Sequence, residues 1–191
     1  MPRLFTALEV PADIGLALAT LRGGLPGARW ADPENYHITL RFIGDVDDAL
    51  AREIAYLLDQ VKRRGFELRL DGLSSFGGRK PRAVIAAVTP VAPLIELQAE
   101  HERMLQRVGL LPEGRKYTPH VTLARLRDST SRQVAEYLAE RGPFRSAPFQ
   151  VGRFVLYSSR SSTGGGPYIV EAAYPLKPAS PAGATAAAAR E

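Results

Sequence analysis

One four-residue pattern occurs twice in this chain and constrains the fold more than any other feature. The stretch His37–Leu40 (His-Ile-Thr-Leu) recurs as His120–Leu123 (His-Val-Thr-Leu), and these include two of the three histidines. A solenoid needs three or more repeats to bury a continuous core, so a single duplication favours two lobes that face each other. The same 83-residue offset relates further identical residues: Phe66 and Phe149, Leu73 and Leu156, Ser75 and Ser158.

The bulk composition bounds the number of domains. The chain has 191 residues, of which 45% are hydrophobic and 24% charged, an ordinary balance for a globular protein that buries its own core. We predict a single bilobed domain over residues 1–176, built from the two repeat units. Residues 177–191 are rich in alanine and proline, offer little to a core and are predicted to be a disordered tail.

The cysteine content and the net charge restrict the cellular compartment and the classes of binding partner that we predict. The chain has no cysteine, which excludes disulfides, thiolate metal sites and a cysteine nucleophile and is consistent with a reducing cytosol. No signal peptide and no run of eighteen apolar residues is visible, so we predict a soluble cytoplasmic protein with no membrane partner. The net charge of +5 and pI near 9.7 favour polyanions such as nucleic acid, but no long run of basic residues exists. Any basic surface must therefore be assembled by folding.

Apolar periodicity predicts strands and helices in a similar order in the two repeat units. Strands are predicted at Leu4–Val10, Tyr36–Ile43, Phe66–Phe76, Ala83–Val88, His120–Leu126, Phe149–Ser158 and Tyr168–Tyr174. Helices are predicted at Ala12–Arg22, from Asp47 or Asp48 to Arg64, at Pro93–Val108 and at Ser131–Glu140. This mixture predicts an α+β fold.

Strand alternation predicts which side chains of each motif point the same way. Strict alternation places His37, Thr39 and Arg41 on one face of the first motif strand and Phe42 on the other. In the second motif strand, it places Arg125 on the face opposite to the histidine unless the strand bulges.

The paired residue types suit phosphodiester hydrolysis. An approximate two-fold axis between the lobes would bring His37, Thr39, His120 and Thr122 onto one concave surface. Imidazole titrates near neutrality, so one copy takes a proton from water while the other gives one to the departing oxygen. Threonine hydroxyls can donate hydrogen bonds to the phosphoryl oxygens. Arg125 is either a phosphate-binding guanidinium or a surface residue on this reasoning.

A metal site is the other common use of paired histidines, and the sequence disfavours it. No histidine lies near another along the chain, and there is no cysteine to complete a ligand set. The third histidine, His101, lies on a predicted helix and is interpreted as a solvated residue. We predict no metal and no cofactor.

Three stretches together resemble the two-histidine (2H) phosphoesterase superfamily. They are Trp30–Gly44, Tyr117–Arg125 and Gly166–Tyr168, and the resemblance covers about residues 2 to 176. Within that superfamily the chain is most similar to the bacterial and archaeal RNA 2′,3′-cyclic phosphodiesterases once called 2′-5′ RNA ligases.

The resemblance implies a fold and a division of roles. The fold would be a bilobed α+β duplication with two antiparallel sheets lining a central cleft and helices outside. The reaction would be metal-independent hydrolysis of a 2′,3′-cyclic phosphate on RNA to a 2′-phosphomonoester. The partners would be RNA or small nucleotides with a 2′,3′-cyclic phosphate, and the sequence does not decide between them. His37 would donate a proton to the leaving 3′-oxygen, His120 would accept one from water, and Arg125 matches an arginine that binds phosphate.

Two other functions stay open from the sequence. One is a non-catalytic RNA-binding module that uses the basic surface while the histidines only form hydrogen bonds. The other is a reversible 2′-5′ RNA ligase, which would be ATP-independent because no Lys-x-Asp-Gly motif is present. We predict a monomer, since both half-sites belong to one chain.

Overall fold

The computed structural model describes residues 3–159 and 166–179 and confirms the predicted α+β class. Ten strands and four α-helices occur in that part of the chain. The strands are β1 (Arg3–Glu9), β2 (Ala28–Trp30), β3 (His37–Asp45), β4 (Phe66–Leu68), β5 (Leu70–Phe76), β6 (Ala83–Val88), β7 (His120–Leu126), β8 (Phe149–Val151), β9 (Arg153–Ser159) and β10 (Tyr168–Pro175). The helices are α1 (Ala12–Ala19), α2 (Asp48–Asp59), α3 (Ala92–Arg107) and α4 (Ser131–Arg141), and a 3-10 helix at Pro33–Asn35 precedes β3.

Several predicted boundaries differ from the structure for local reasons. Helix α1 ends at Ala19 rather than Arg22, because the chain tightens into i−3 hydrogen bonds before two glycines with positive φ. Helix α2 ends at Asp59 rather than Arg64 with the same tightening. The strands predicted at Phe66–Phe76 and Phe149–Ser158 each break after three residues. The first gives β4 and β5, and the second gives β8 and β9. The breaks let each pair of strands join different sheets.

The strands form one main antiparallel sheet and one small one. The main sheet has eight strands in the order β10-β9-β1-β3-β7-β6-β5, with β2 paired to β7. At its centre β3 and β7 pair only at Ile38 and Val121. The two predicted sheets are therefore the two halves of one continuous sheet. We call β10, β9, β1 and β3 the His37 half, and β7, β6, β5 and β2 the His120 half.

Two strand pairs lie on an approximate two-fold axis. Ile38 and Val121 are 83 residues apart and pair with each other in the main sheet. Strands β4 and β8 form the small sheet, whose central pair, Glu67 and Gln150, has the same offset. By their order, and for the last three also by the 83-residue offset, β1, β3, β4 and β5 of the first unit correspond to β6, β7, β8 and β9 of the second. Strands are exchanged between the units: β5 of the first pairs with β6 of the second, and β9 of the second pairs with β1 of the first.

Helix α3 covers the face of the His37 half that lies away from His37. Arg41 of β3 is buried there and forms an ion pair with Glu102 of α3. His101 of α3 is also fully buried, and its Nδ1 lies 3.0 Å from the Thr6 hydroxyl of β1. The prediction that His101 is solvated is therefore wrong, because its side of α3 packs against the sheet.

The chain beyond the predicted domain end is partly described. The backbone N–H of Lys177 donates to Arg63 at 2.9 Å, and its carbonyl accepts from Gly65 at 2.8 Å, so residue 177 is held against the fold. Residues 180–191 of the predicted tail lie outside the described residues. In the described part of the chain, no helix is long and apolar enough to span a bilayer; the cytoplasmic location stays a prediction.

Candidate active site

Both motif strands contain a bulge at the equivalent position. In β3 the register with β1 shifts so that Leu40 has no partner, and in β7 the register with β6 skips Leu123. These two leucines are again 83 residues apart. A bulge adds one residue to a strand and reverses the face on which the following side chains lie. Side chains beyond the bulge therefore break the alternation that holds before it.

The bulges change the predicted arrangement of three side chains. Arg41 turns away from His37, so the prediction that the two share a face is wrong. Phe42 instead lies on the histidine face, where its ring centroid is 5.8 Å from that of Phe5, which contacts His37. Arg125 is exposed, and after burial, the largest cause, its charge also lowers the pKa values of both motif histidines. The structure thus brings Arg125 to the two histidines.

The two imidazoles have the same pose. Nδ1 of His37 lies 2.7 Å from the carbonyl oxygen of Asn35, and Nδ1 of His120 lies 2.7 Å from that of Thr118. A carbonyl oxygen only accepts, so each Nδ1 carries the hydrogen. In the neutral imidazole the lone pair is then on Nε2, the atom that can take up or release a proton. The second-motif carbonyl is 83 residues from the first.

The surroundings of the two imidazoles lower their proton affinity. Burial lowers the pKa of His37 to about 4 against the backbone hydrogen bond, which raises it, and the charges of His120 and Arg125 lower it further. Burial also lowers the pKa of His120, and Arg125 adds to the shift. Both imidazoles are therefore neutral at pH 7 in the free protein.

Aromatic rings enclose His37 more than His120. The His37 ring centroid lies 5.0 Å from Phe5, 5.9 Å from Tyr157 and 5.0 Å from Tyr168, the last in an edge-on contact. His120 has one edge-on ring contact, with Phe76 at 4.8 Å. Desolvation is the largest influence on both pKa values, and the three rings around His37 contribute to the burial that lowers its pKa to about 4.

Thr39 and Thr122 lie two residues after their histidines, before each bulge, and both side chains are half-buried. Tyr117 links the two halves at this point, because its hydroxyl donates to the carbonyl oxygen of Thr39 at 3.1 Å. Burial raises the pKa of Tyr117, so the hydroxyl remains a donor over the ordinary pH range. This bond supplements the single backbone pair that joins β3 to β7.

Sequence reasoning missed the aromatic and bridging residues of the site. Tyr117 and Tyr168 lie within the stretches that carry the family resemblance, so a signal for them was present. Phe5 and Tyr157 are buried strand residues with no motif of their own. In residues 3–159 and 166–179, no three His, Asp or Glu side chains gather as metal ligands would.

Comparison with known proteins identifies the family. Residues 10–163 match the model of the 2′-5′ RNA ligase superfamily, and the chain belongs to that superfamily. An RNA 2′,3′-cyclic phosphodiesterase of Aeropyrum pernix is 40% identical over 54% of this chain and 60% of its own length. One of Thermotoga maritima is 33% identical over 82% of this chain and 86% of its own. The crystal structure of Escherichia coli LigT complexed with 3′-AMP has a TM-score of 0.75 and 25% identity, and covers 92% of this chain and 99% of that one.

Proposed function

We propose that this protein hydrolyses the 2′,3′-cyclic phosphate at the end of an RNA chain and leaves a 2′-phosphate. The observation that carries the proposal is the matched pose of His37 and His120, each with Nδ1 held by a backbone carbonyl. In that pose Nε2 is the atom of each ring that can exchange a proton, and the two histidines lie on neighbouring strands, beside the paired residues Ile38 and Val121. The names of the Aeropyrum and Thermotoga relatives support the choice of substrate.

The proposed reaction moves two protons. Water attacks phosphorus and gives a proton to Nε2 of His120, while the bond from phosphorus to the 3′-oxygen breaks and that oxygen takes a proton from His37. The His37 imidazolium has a low pKa in the free protein and is a strong acid once formed. The negative charge of the bound phosphodiester raises this pKa and so populates the donor form.

The remaining residues stabilise the negative charge of the phosphoryl group. We assign the Thr39 and Thr122 hydroxyls as donors to the non-bridging oxygens, since each lies beside its histidine before the bulge. Arg125 is assigned to bind the phosphate, a role supported by its influence on both histidines. Because base, acid and cation come from one chain, we propose that a monomer acts without a metal.

The test is product analysis on a short RNA that ends in a 2′,3′-cyclic phosphate, incubated with excess chelator. We expect a 2′-phosphate from the wild type and a loss of roughly 100- to 10,000-fold in His37→Ala and in His120→Ala. Circular dichroism of each variant checks that it is folded. RNA binding without turnover by the wild type would instead indicate a binding module, and preferential joining to an added 5′-hydroxyl RNA would indicate a ligase.

A further inference from the structure

Exposed cations gather at the outer edge of the His120 half. This group, which we call the basic edge, comprises Arg29, Arg79, Lys80, Arg82 and Arg127. All five residues are exposed, and their side chains form no ion pair within residues 3–159 and 166–179. Several cations elsewhere in the described part of the fold, such as Arg41, Arg63 and Arg153, are paired with carboxylates. Unpaired clustered cations leave a positive potential that attracts a polyanion.

The basic edge is continuous with the active site. Arg29 of β2 pairs across the strands with Arg125, the proposed phosphate ligand. Phe76, at the end of β5, contacts the His120 ring at 4.8 Å. The chain passes directly from Phe76 into the turn at residues 77–82, which carries three of the five cations. A strand of phosphates leaving the site on this side would therefore meet the basic edge first.

Hydrogen bonds hold this turn in place. The N–H of Arg82 donates to Phe76 at 2.7 Å, and that of Lys80 donates to Gly77 at 3.1 Å. Gly77 has φ +108°, a conformation that favours glycine. The hydroxyl of Ser131, the first residue of α4, donates to the carbonyl of Arg79 at 2.9 Å. The cations are thus presented from an ordered turn beside the positive end of a helix.

Exposed carboxylates, by contrast, lie at the end of β3 in the His37 half. Three carboxylates at the end of β3 and just beyond it are exposed, namely Asp45, Asp47 and Asp48. The neighbouring cation, Arg3, lies 3.4 Å from Asp45 and is neutralised by it. Among the described residues, these carboxylates make the end of β3 less favourable for a polyanion than the basic edge.

We propose that the basic edge binds the RNA chain on the 5′ side of the cyclic phosphate, so that single-stranded oligonucleotides are the substrate class rather than free cyclic nucleotides. This inference rests on the proposed function. Each phosphate bound by a cation releases counterions, so the contribution of the basic edge depends on salt concentration. Free cyclic mononucleotides have no upstream phosphates and cannot use it.

The experiment compares an RNA of ten nucleotides ending in a 2′,3′-cyclic phosphate with a nucleoside 2′,3′-cyclic phosphate. The test variant is Arg79→Gln/Lys80→Gln/Arg82→Gln, and the matched control, Arg52→Gln/Arg103→Gln/Arg107→Gln, removes equal charge from exposed sites on α2 and α3. We expect the test variant to lose at least about tenfold more kcat/KM on the RNA than on the mononucleotide. In the test variant, the slope of log kcat/KM for RNA against log salt concentration should be smaller in magnitude by about two. Each phosphate contact on a single strand contributes roughly 0.7 to this slope, and three cations are removed.

An equal loss on both substrates, or an equal loss in the control variant, would overturn the proposal. Binding of an RNA ending in a 2′-phosphate, followed by fluorescence anisotropy, separates the inference from the proposed function. If the wild type hydrolyses neither substrate, weaker RNA binding in the test variant alone still supports the basic edge. Equal RNA binding in both variants rejects it.

Discussion

The two halves of the site have the same backbone and different side chains. In each half a strand carries His-x-Thr, a bulge follows at the same position, and a carbonyl two residues upstream holds Nδ1 of the histidine. At the position five residues after the histidine, however, the His37 half has Phe42 and the His120 half has Arg125. The repeated geometry thus carries an aromatic side chain in one half and a cation in the other.

The largest expected effect concerns the assignment of acid and base to the two halves. A cyclic phosphate analogue with sulfur in place of the 3′-oxygen has a leaving group that needs no proton. We expect His37→Ala to recover at least about tenfold of its lost rate on this substrate relative to the oxygen substrate, because a general acid contributes roughly 100-fold or more. Single-turnover rates on both substrates measure the effect.

The matched variant for that comparison is His120→Ala. It lacks the proposed base, so sulfur substitution should leave its defect unchanged. Recovery in His120→Ala alone would reverse the assignment of roles, and recovery in neither variant would contradict acid catalysis by a motif histidine.

A second prediction removes the cation that distinguishes the His120 half. Arg125→Gln should reduce kcat/KM by roughly 10- to 100-fold, the value of one charge-assisted hydrogen bond.

Wild-type kcat/KM should be greatest below pH 6.5, because both histidines have lowered pKa values, and should fall as pH rises above them. Removing the guanidinium raises both pKa values, so the maximum should move to higher pH.

The opposite substitution sharpens this result. Phe42→Arg places a guanidinium at the equivalent position of the His37 half and should move the maximum to lower pH. Rate profiles between pH 4 and 9 at constant ionic strength measure both shifts. A maximum that stays in place in Arg125→Gln would show that Arg125 does not act on the histidines.

A third and smaller effect concerns the link between the halves. Tyr117→Phe removes the 3.1 Å hydrogen bond to Thr39, which is worth about 0.5–1.5 kcal/mol. We expect kcat to fall by roughly two- to tenfold with KM changed less, since the halves would no longer be held in the productive geometry. Steady-state kinetics on the RNA substrate give both constants.

Tyr36→Phe is the control for this prediction. The Tyr36 hydroxyl is buried without a hydrogen-bond partner in the described part of the chain, so its removal breaks no such bond. We expect kcat within twofold of the wild type. Equal losses in the two tyrosine variants would mean that Tyr117 acts through packing alone.

The smallest effect on activity is expected beneath the His37 half. Burial, with a smaller influence from the charge of Arg63, lowers the pKa of His101 to about 3, so the unfolded chain takes up a proton that the folded chain does not. Stability should therefore fall as pH drops from 6.5 toward 3, by as much as roughly 1.4 kcal/mol per pH unit for one such group. In His101→Leu this dependence should be weaker, while kcat at pH 7 stays within twofold. Urea unfolding at several pH values tests this, and an unchanged pH dependence would contradict it.

The motif histidines and their strands were predictable because the duplicated pattern is local. Strand β7 has the predicted bounds, His120–Leu126. The facing of Arg41 and Phe42 was not predictable, because alternation holds only in a regular strand and a bulge leaves no mark in a single sequence. From alternation, Arg125 lies on the histidine face only if β7 bulges before it, and the structure has that bulge at Leu123.

Two other features differ in how much signal the sequence held. Strand exchange between the units depends on pairing between distant residues, which periodicity does not report. The burial of His101, by contrast, had a signal, since Leu94, Leu97 and Met104 share its side of α3 at helical spacing and are buried with it. Our prediction gave more weight to the polarity of the His101 side chain than to its position on the helix.

The exchange of β5 and β9 has a consequence for what the two halves of one chain can become. One repeat unit alone could complete its sheet only by giving its last strand to a second copy and receiving one in return. The present chain is therefore equivalent to a strand-swapped homodimer whose two copies have been joined through residues 77–82. In a homodimer every substitution appears twice, and Arg125 would always face another arginine across the axis. A single chain is free of that restriction, so its two equivalent positions can carry the different side chains of Phe42 and Arg125.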